Sequence, residues 1–240
     1  MQLEMKTRGP WSYYHLREME EAGIVHGFMT RSTGPVLRDP VLRKAFTEAF
    51  SATEAVVMDQ EHGDRVLLVA GGSRPEAGDG LVVTEPGVMG VIKTADCLPI
   101  ILCEPRYPAA AIVHAGWRGT ARKIVQRAVE TMAGLGVGRG NMVALIGPGI
   151  GPCCYGVGQD VISAFEEAGL ADGVFERRNG AAFLDLKEAN RRLLLHEGID
   201  RIFDAHLCTS CRGDLFFSAR RDREGGRQIN FVLLNARALP

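Results

Sequence analysis

Gly80-Leu-Val-Val-Thr84, Val88-Met-Gly-Val-Ile-Lys-Thr94, Leu98-Pro-Ile-Ile-Leu-Cys103 and Ala109-Ala-Ala-Ile-Val113 follow one another with only short turn segments between them. Their Val and Ile content and the Gly, Pro and Asp residues that bound them predict strands. Four strands in succession, with no helix between them, are not the pattern of βαβ crossovers. The expectation is therefore an α+β fold with mixed sheets, not a doubly wound parallel sheet. Upstream, Val56-Val-Met-Asp-Gln60 and Val66-Leu-Leu-Val69 flank Glu61-His62-Gly63-Asp64, which reads as a hairpin with His62 in its turn region. Downstream, a helix is expected from about Thr120. Ile124, Val125, Ala128, Val129 and Met132 fall on one face, and Gly134 and Gly136 end it. Further helices are expected over 161–168, 186–196 and 41–50, and closing strands over 201–206 and 229–234. No repeat, low-complexity tract or linker interrupts residues 1–240, which are read as one domain.

Composition narrows the function classes. The 240 residues are 46% hydrophobic and 24% charged, a globular balance that excludes disorder and collagen-like repeats. Lys plus Arg number 28 against 29 Asp plus Glu, so no bulk positive charge is present to grip nucleic acid. No apolar run has the length of a membrane-spanning helix, and residues 1–10 lack the apolar stretch of a secretory signal. A cytoplasmic enzyme with a small-molecule substrate, and no nucleic-acid or membrane partner, is the expectation.

Three segments place a metal-capable side chain at the end of a strand: Gln60-Glu-His62-Gly63, Thr94-Ala-Asp96-Cys97 and Val113-His114-Ala-Gly-Trp-Arg-Gly119. Two imidazoles and a thiolate, His62, His114 and Cys97, suit zinc and leave one coordination position open for water or substrate. The same residues also fit a metal-free site, with Cys97 as nucleophile, His114 as its base, and Asp96 or Gln60 orienting. Gly116-Trp-Arg-Gly-Thr120 leads into the best helix and reads either as an anion site with Arg118 or as a plain turn. Arg31, Arg220 and Arg221 adjoin apolar strands and are candidates to enter a cleft, although a surface position is the usual fate of arginine. Tyr155 is either a stacking residue or a core aromatic. Cys208-Thr-Ser-Cys211 has redox or metal-knuckle spacing. Its other half would have to come from Cys153-Cys154, an unusual partner, and small buried thiols are the alternative reading. Gly147-Pro-Gly-Ile-Gly-Pro152 lacks the Lys-Ser/Thr of a P-loop, and no dinucleotide fingerprint opens a helix.

Taken in order, His26-Gly-Phe-Met-Thr-Arg31, Gln60-Glu-His-Gly63, Asp79-Gly80, Thr94-Ala-Asp-Cys-Leu-Pro99, His114-Ala-Gly-Trp-Arg-Gly119, Ile146-Gly-Pro-Gly-Ile-Gly151, Cys154-Tyr155, Cys208-Thr-Ser-Cys211 and Phe216-Phe-Ser-Ala-Arg-Arg221 resemble the YfiH-like laccase-domain family. The resemblance spans nearly the whole chain. It implies a layered α/β/β/α sandwich with mixed sheets and a metal, zinc or else copper, on His62, Cys97 and His114. It further implies phosphorolysis of adenosine, inosine and methylthioadenosine, and deamination of adenosine. Arg220, ahead of Arg221, is implied as a site residue. Other names used in the family imply two alternatives: a hydrolase that edits peptidoglycan precursors and a copper polyphenol oxidase. The oxidase fits worst, because six histidines are too few for a laccase copper set. For deamination a general acid is needed, for which Asp96 or Glu61 is the expectation. The chain departs from the family in two places. The stretch between Arg31 and Gln60 is shortened, and Gly156 stands where a glutamate usually follows the tyrosine.

Overall fold

The computed structural model describes residues 2–73, 77–223 and 225–235. Two six-stranded mixed sheets lie face to face. In spatial order the first holds β1 (Glu4–Arg8), β2 (Trp11–His15), β3 (Ile24–Met29), β15 (Gln228–Leu234), β7 (Val88–Thr94) and β4 (Glu54–Val57). The second holds β14 (Arg201–Asp204), β10 (Val143–Ile146), β8 (Leu98–Cys103), β9 (Ala110–Ala115), β6 (Gly80–Val83) and β5 (Val66–Val69). A small third sheet joins β11 (Gly156–Val157), β13 (Ala181–Leu184) and β12 (Phe175–Arg178). The helices are α1 (Arg17–Glu21), α2 (Pro40–Ala49), α3 (Trp117–Ala121), α4 (Ile124–Gly134), α5 (Gln159–Glu167), α6 (Leu186–His196) and α7 (Ala219–Asp222).

The central strands β8, β9 and β15 are buried at every position because both of their faces are covered, and His114, Gln228 and Asn230 are their only polar residues. In β9, Ala111, Val113 and Ala115 face the layer of α4 and α6, whereas Ala110 and Ile112 face the first sheet. In β15, Ile229, Phe231 and Leu233 pack with Phe46 and Phe50 at α2, while Val232 and Leu234 turn to the second sheet. Alternation with period two is thus preserved, but between two cores instead of between core and water. This gives the order helix, sheet, sheet, helix, and the α+β expectation with mixed sheets holds.

One expectation fails in a way that matters for function. The segments on either side of His62 do not form a hairpin: β4 pairs in parallel with β7 in the first sheet, and β5 pairs in parallel with β6 in the second. The connection bearing His62 therefore crosses from one sheet to the other. The helix expected from Thr120 is interrupted, since Lys123 takes a left-handed φ of 63° and separates α3 from α4. Strands β1 and β12 escape a sequence reading because they are half exposed and charged, without an alternating pattern.

His26, in β3, is buried and structural. Its Nε2 accepts the Leu16 amide N–H at 2.9 Å and its Nδ1–H donates to the Ile24 carbonyl at 2.8 Å. Burial drives its pKa down to about 4, against the backbone hydrogen bond that raises it. The unfolded chain binds this proton near pH 6.5 and the folded chain only near pH 4, so stability from neutral His26 is full above pH 6.5 and lost as pH falls through that window. Denaturant melts of metal-stripped protein are expected to show a loss of about 3 kcal/mol from this group on acidification, and His26→Gln should flatten the slope. Ile112→Ala, between the two sheets, should cost about 2–5 kcal/mol in the same melts, whereas Val41→Ala on the exposed face of α2 should change stability by less than about 0.5 kcal/mol.

Candidate metal centre and its cavity

Two of the three candidate ligands sit where the chain passes between sheets. His62 lies in the β4–β5 connection, and Cys97 ends the three-residue link from β7 to β8. His114 is in β9, beside the strand that follows Cys97. The donor atoms of His62, Cys97 and His114 all lie within 4.8 Å of one another, and the two imidazole centroids are 4.8 Å apart.

What gathers them is Asp79, a fully buried residue just before β6. Its carboxylate accepts the amides of Glu61 at 3.1 Å, His62 at 3.0 Å and Gly63 at 2.6 Å. It also accepts His114 Nδ1–H at 2.7 Å, and the Asp79 carbonyl accepts the His114 amide at 2.6 Å. Three successive amides wrapped on one carboxylate hold His62 in its left-handed conformation, φ 61°. With Nδ1 occupied, His114 presents Nε2 to the Cys97 side, the arrangement that orients metal-binding histidines in general. Burial opposes ionisation of the Cys97 thiol, yet hydrogen bonds from His114 and His62 bring its pKa down to about 6. Burial likewise disfavours charge on His114, but Asp79 and Cys97 raise its pKa to about 9. A thiolate, two convergent imidazoles and a carboxylate behind one of them fit a borderline-soft divalent ion, so the residues present are a competent metal-binding set.

The glycines of Gly116-Trp-Arg-Gly119 serve this set by letting the backbone pass close to it. A Cβ on Gly116 would stand 2.9 Å from the Cys97 sulfur, and one on Gly119 would stand 2.7 Å from the Gly63 carbonyl. The five-residue α3 that follows is too short to be a strong dipole site, and Arg118 lies over the Trp117 ring and does not itself line the cavity.

The ligands open onto a cavity of about 1160 Å³ between α2, the strand ends and residues 217–223 and 225–229. Arg38, Arg43, Lys93, Arg220, Arg223 and Arg227 line it, giving a basic wall that the sequence reading found only at Arg220. No motif marks the other five. Arg220 lies over the Tyr155 ring at 5.4 Å and donates to the Gly156 carbonyl at 2.9 Å, and both Arg220 and Tyr155 face the cavity. Arg31 does not. It stacks on Phe217 at 4.8 Å and donates to the Gly213 carbonyl. Arg221 is likewise spent on loop structure, binding the Asp222 carboxylate and the carbonyls of Thr209, Ser210 and Phe216.

Two further candidates line the cavity with their polar atoms already engaged. The Gln60 amide pairs with the Lys93 backbone at 2.7 and 2.8 Å, extending the edge of β7. Asp96 accepts Thr209 Oγ1–H at 2.6 Å, Ser218 Oγ–H at 3.0 Å and the Arg220 amide at 2.7 Å. That carboxylate fixes the segment carrying Arg220. Glu61 is exposed and does not line the cavity. The other imidazoles stand apart, His15 with Glu20, His26 in its strand, His196 with Glu197 and His206 with Asp204.

Comparison with known proteins places the chain in a family. The sequence profile of the family described as "Multi-copper polyphenol oxidoreductase laccase" matches residues 41–235. A Deinococcus radiodurans protein named purine nucleoside phosphorylase is 41% identical over 75% of this chain and 70% of its own length. A protein named adenosine deaminase RL5, from an unknown prokaryotic organism, is 37% identical over 61% of this chain and 58% of its own. The crystal structure of Bacillus licheniformis hypothetical protein YfiH superposes with a TM-score of 0.87 at 32% identity, covering 96% of this chain and 99% of that one. With two buried sheets, the His62–Cys97–His114 set and a family match across most of its length, the chain belongs to the YfiH-like laccase-domain family.

Proposed function

We propose that this chain is a metal-dependent purine nucleoside enzyme that cleaves adenosine, inosine and methylthioadenosine with phosphate and also deaminates adenosine. The observation that carries the reading is the junction of a metal-competent His-His-Cys set with a basic wall and an aromatic shelf in one cavity. Relatives named for phosphorolysis and for adenosine deamination support it. His62, Cys97 and His114 would hold the ion, zinc being the best match to two imidazoles and a thiolate. When bound, such an ion supplies Lewis acidity and makes water a better nucleophile near neutral pH.

The chain's own groups account for the rest. Tyr155 and Phe217 offer aromatic surface for a purine, and the basic side chains around Arg220 balance a phosphate dianion. In phosphorolysis a phosphate oxygen bonds to ribose C1′ while the bond from C1′ to the purine nitrogen breaks, and the departing base keeps that electron pair and takes up a proton. Arg220 holds the phosphate in place for this displacement, with its own backbone anchored by Asp96. Asp96 is thus a positioning residue, not a proton donor. In deamination, water adds at C6 of adenine and ammonia leaves.

Purified protein given adenosine should release adenine only with phosphate present and form inosine without it. Cys97→Ala should abolish both products while the far-ultraviolet circular dichroism is unchanged. Undiminished turnover by that variant, or by metal-stripped enzyme, would sink the assignment. Arg220→Ala removes a charge-assisted contact to phosphate, so the KM for phosphate should rise about ten- to a hundredfold. Inosine formation should change much less. An equal loss of both activities would instead mean that Arg220 does not act on phosphate.

A further inference from the structure

A second group of metal-capable side chains lies apart from the cavity. Cys153, Cys154, Cys208 and Cys211 bring their four sulfurs within 4.8 Å of one another. Cys211 Sγ is 3.5 Å from Cys153 Sγ and 3.4 Å from Cys154 Sγ. An ion bound to sulfur at about 2.3 Å in a tetrahedron separates its ligands by roughly 3.8 Å, so the four sulfurs already stand near the required spacing. Cys153 and Cys211 are exposed and the other two half-buried, which rules out the reading of this set as small buried core thiols.

The backbone around the sulfurs is built in the same sense. The Gly151 amide donates to Cys208 Sγ at 3.3 Å, and the Cys211 amide is directed to the same sulfur. Amide N–H groups aimed at a sulfur stabilise thiolate character. A Cβ on Gly151 would lie 3.3 Å from Cys153 Sγ and 3.4 Å from Cys208 Cβ, so the glycine keeps that approach open. Two guanidinium groups also border the set. Arg178 donates to the Pro152 carbonyl, and Arg221 donates to the Thr209 and Ser210 carbonyls inside the knuckle. They offset the net negative charge that four thiolates around a divalent ion would leave.

We propose that Cys153, Cys154, Cys208 and Cys211 form a structural site for a thiophilic divalent cation such as zinc, which clamps the loop bearing Tyr155 to the loop leading to Arg220. Four protein ligands close the coordination sphere, unlike the open three-ligand set in the cavity. Each thiol gives its proton to solvent as it binds, with no change in oxidation state. The clamp has a clear mechanical task. The loops it joins meet at the Gly149–Cys208 bridge and through the Gly151 amide on Cys208 Sγ, and they lead to Tyr155 and to Arg220, which lies over the Tyr155 ring at the cavity.

Metal content per chain after gel filtration tests this, with inductively coupled plasma mass spectrometry on wild type, Cys97→Ala, Cys211→Ser and the double variant. The expected result is two zinc equivalents in the wild type, one in each single variant and none in the double. Cobalt loaded into Cys97→Ala should give the intense sulfur-to-metal absorption of a tetrahedral thiolate site. That absorption should vanish on adding Cys211→Ser and persist, weaker, with Cys211→His, which replaces one thiolate by an imidazole. A single equivalent that follows Cys97 alone would overturn the proposal, as would a disulfide between any two of the four cysteines in protein purified with its metal. The metal count and the cobalt spectrum do not depend on nucleoside turnover, so an inactive enzyme would leave this result intact.

Discussion

The Asp79 carboxylate is the constraint on which the centre depends. One buried anion receives three consecutive amides from the His62 turn and the imidazole of His114, so two ligands from segments distant in sequence answer to one side chain. A buried carboxylate left without these donors would carry a large desolvation cost. The same energetics that make its ionisation acceptable therefore hold the turn closed. Burial presses its pKa upward, but the His114 imidazole and the Gly63 and Glu61 amides bring it below the ordinary carboxylate value. The protein gains a fixed imidazole tautomer and a fixed loop from a single hydrogen-bonding group.

The position of the centre follows from the architecture. Two stacked sheets need connections that leave one and enter the other, and both the His62 turn and the Cys97 link are such crossings. At a crossing the backbone leaves the ladder, so side chains there are free to converge while the flanking strands remain rigid. The close approaches at Gly116 and Gly119 belong to the same geometry, because the chain after β9 has to pass directly against the Cys97 sulfur and the His62 turn. On the other side of the cavity, Asp96 performs the corresponding task for the Arg220 segment.

Particular residues show how far the sequence can be read. The runs at 88–94 and 98–103 appear as strands with those same limits, since continuous apolar character is what two covered faces require. Helix 186–196 likewise matches its apolar spacing and its glycine stop. His62, Cys97 and His114 stand out in the sequence as metal-capable residues, and the structure brings the three together although His62 lies in the middle of a connection, not at the end of a strand. Asp79 has no legible task in the sequence, for an acidic residue before a strand has no local signature of what it will bind. Of the arginines beside apolar strands, Arg220 faces the cavity while Arg31 and Arg221 turn elsewhere, because a guanidinium there can satisfy itself on carbonyls, carboxylates or rings as well as on a substrate.

The sequence by itself determined the class of fold and the chemical character of the centre, since both rest on residue type and short-range spacing. The tertiary structure decided which sheet each strand joined, which arginine faced the cavity, and that four cysteines from two distant segments share one place. These outcomes depend on contacts between residues far apart in the chain, such as Asp96 with Ser218 or Cys154 with Cys211. Local periodicity carries the direction in which a side chain leaves its own strand or helix. It does not carry the identity of what arrives on the other side.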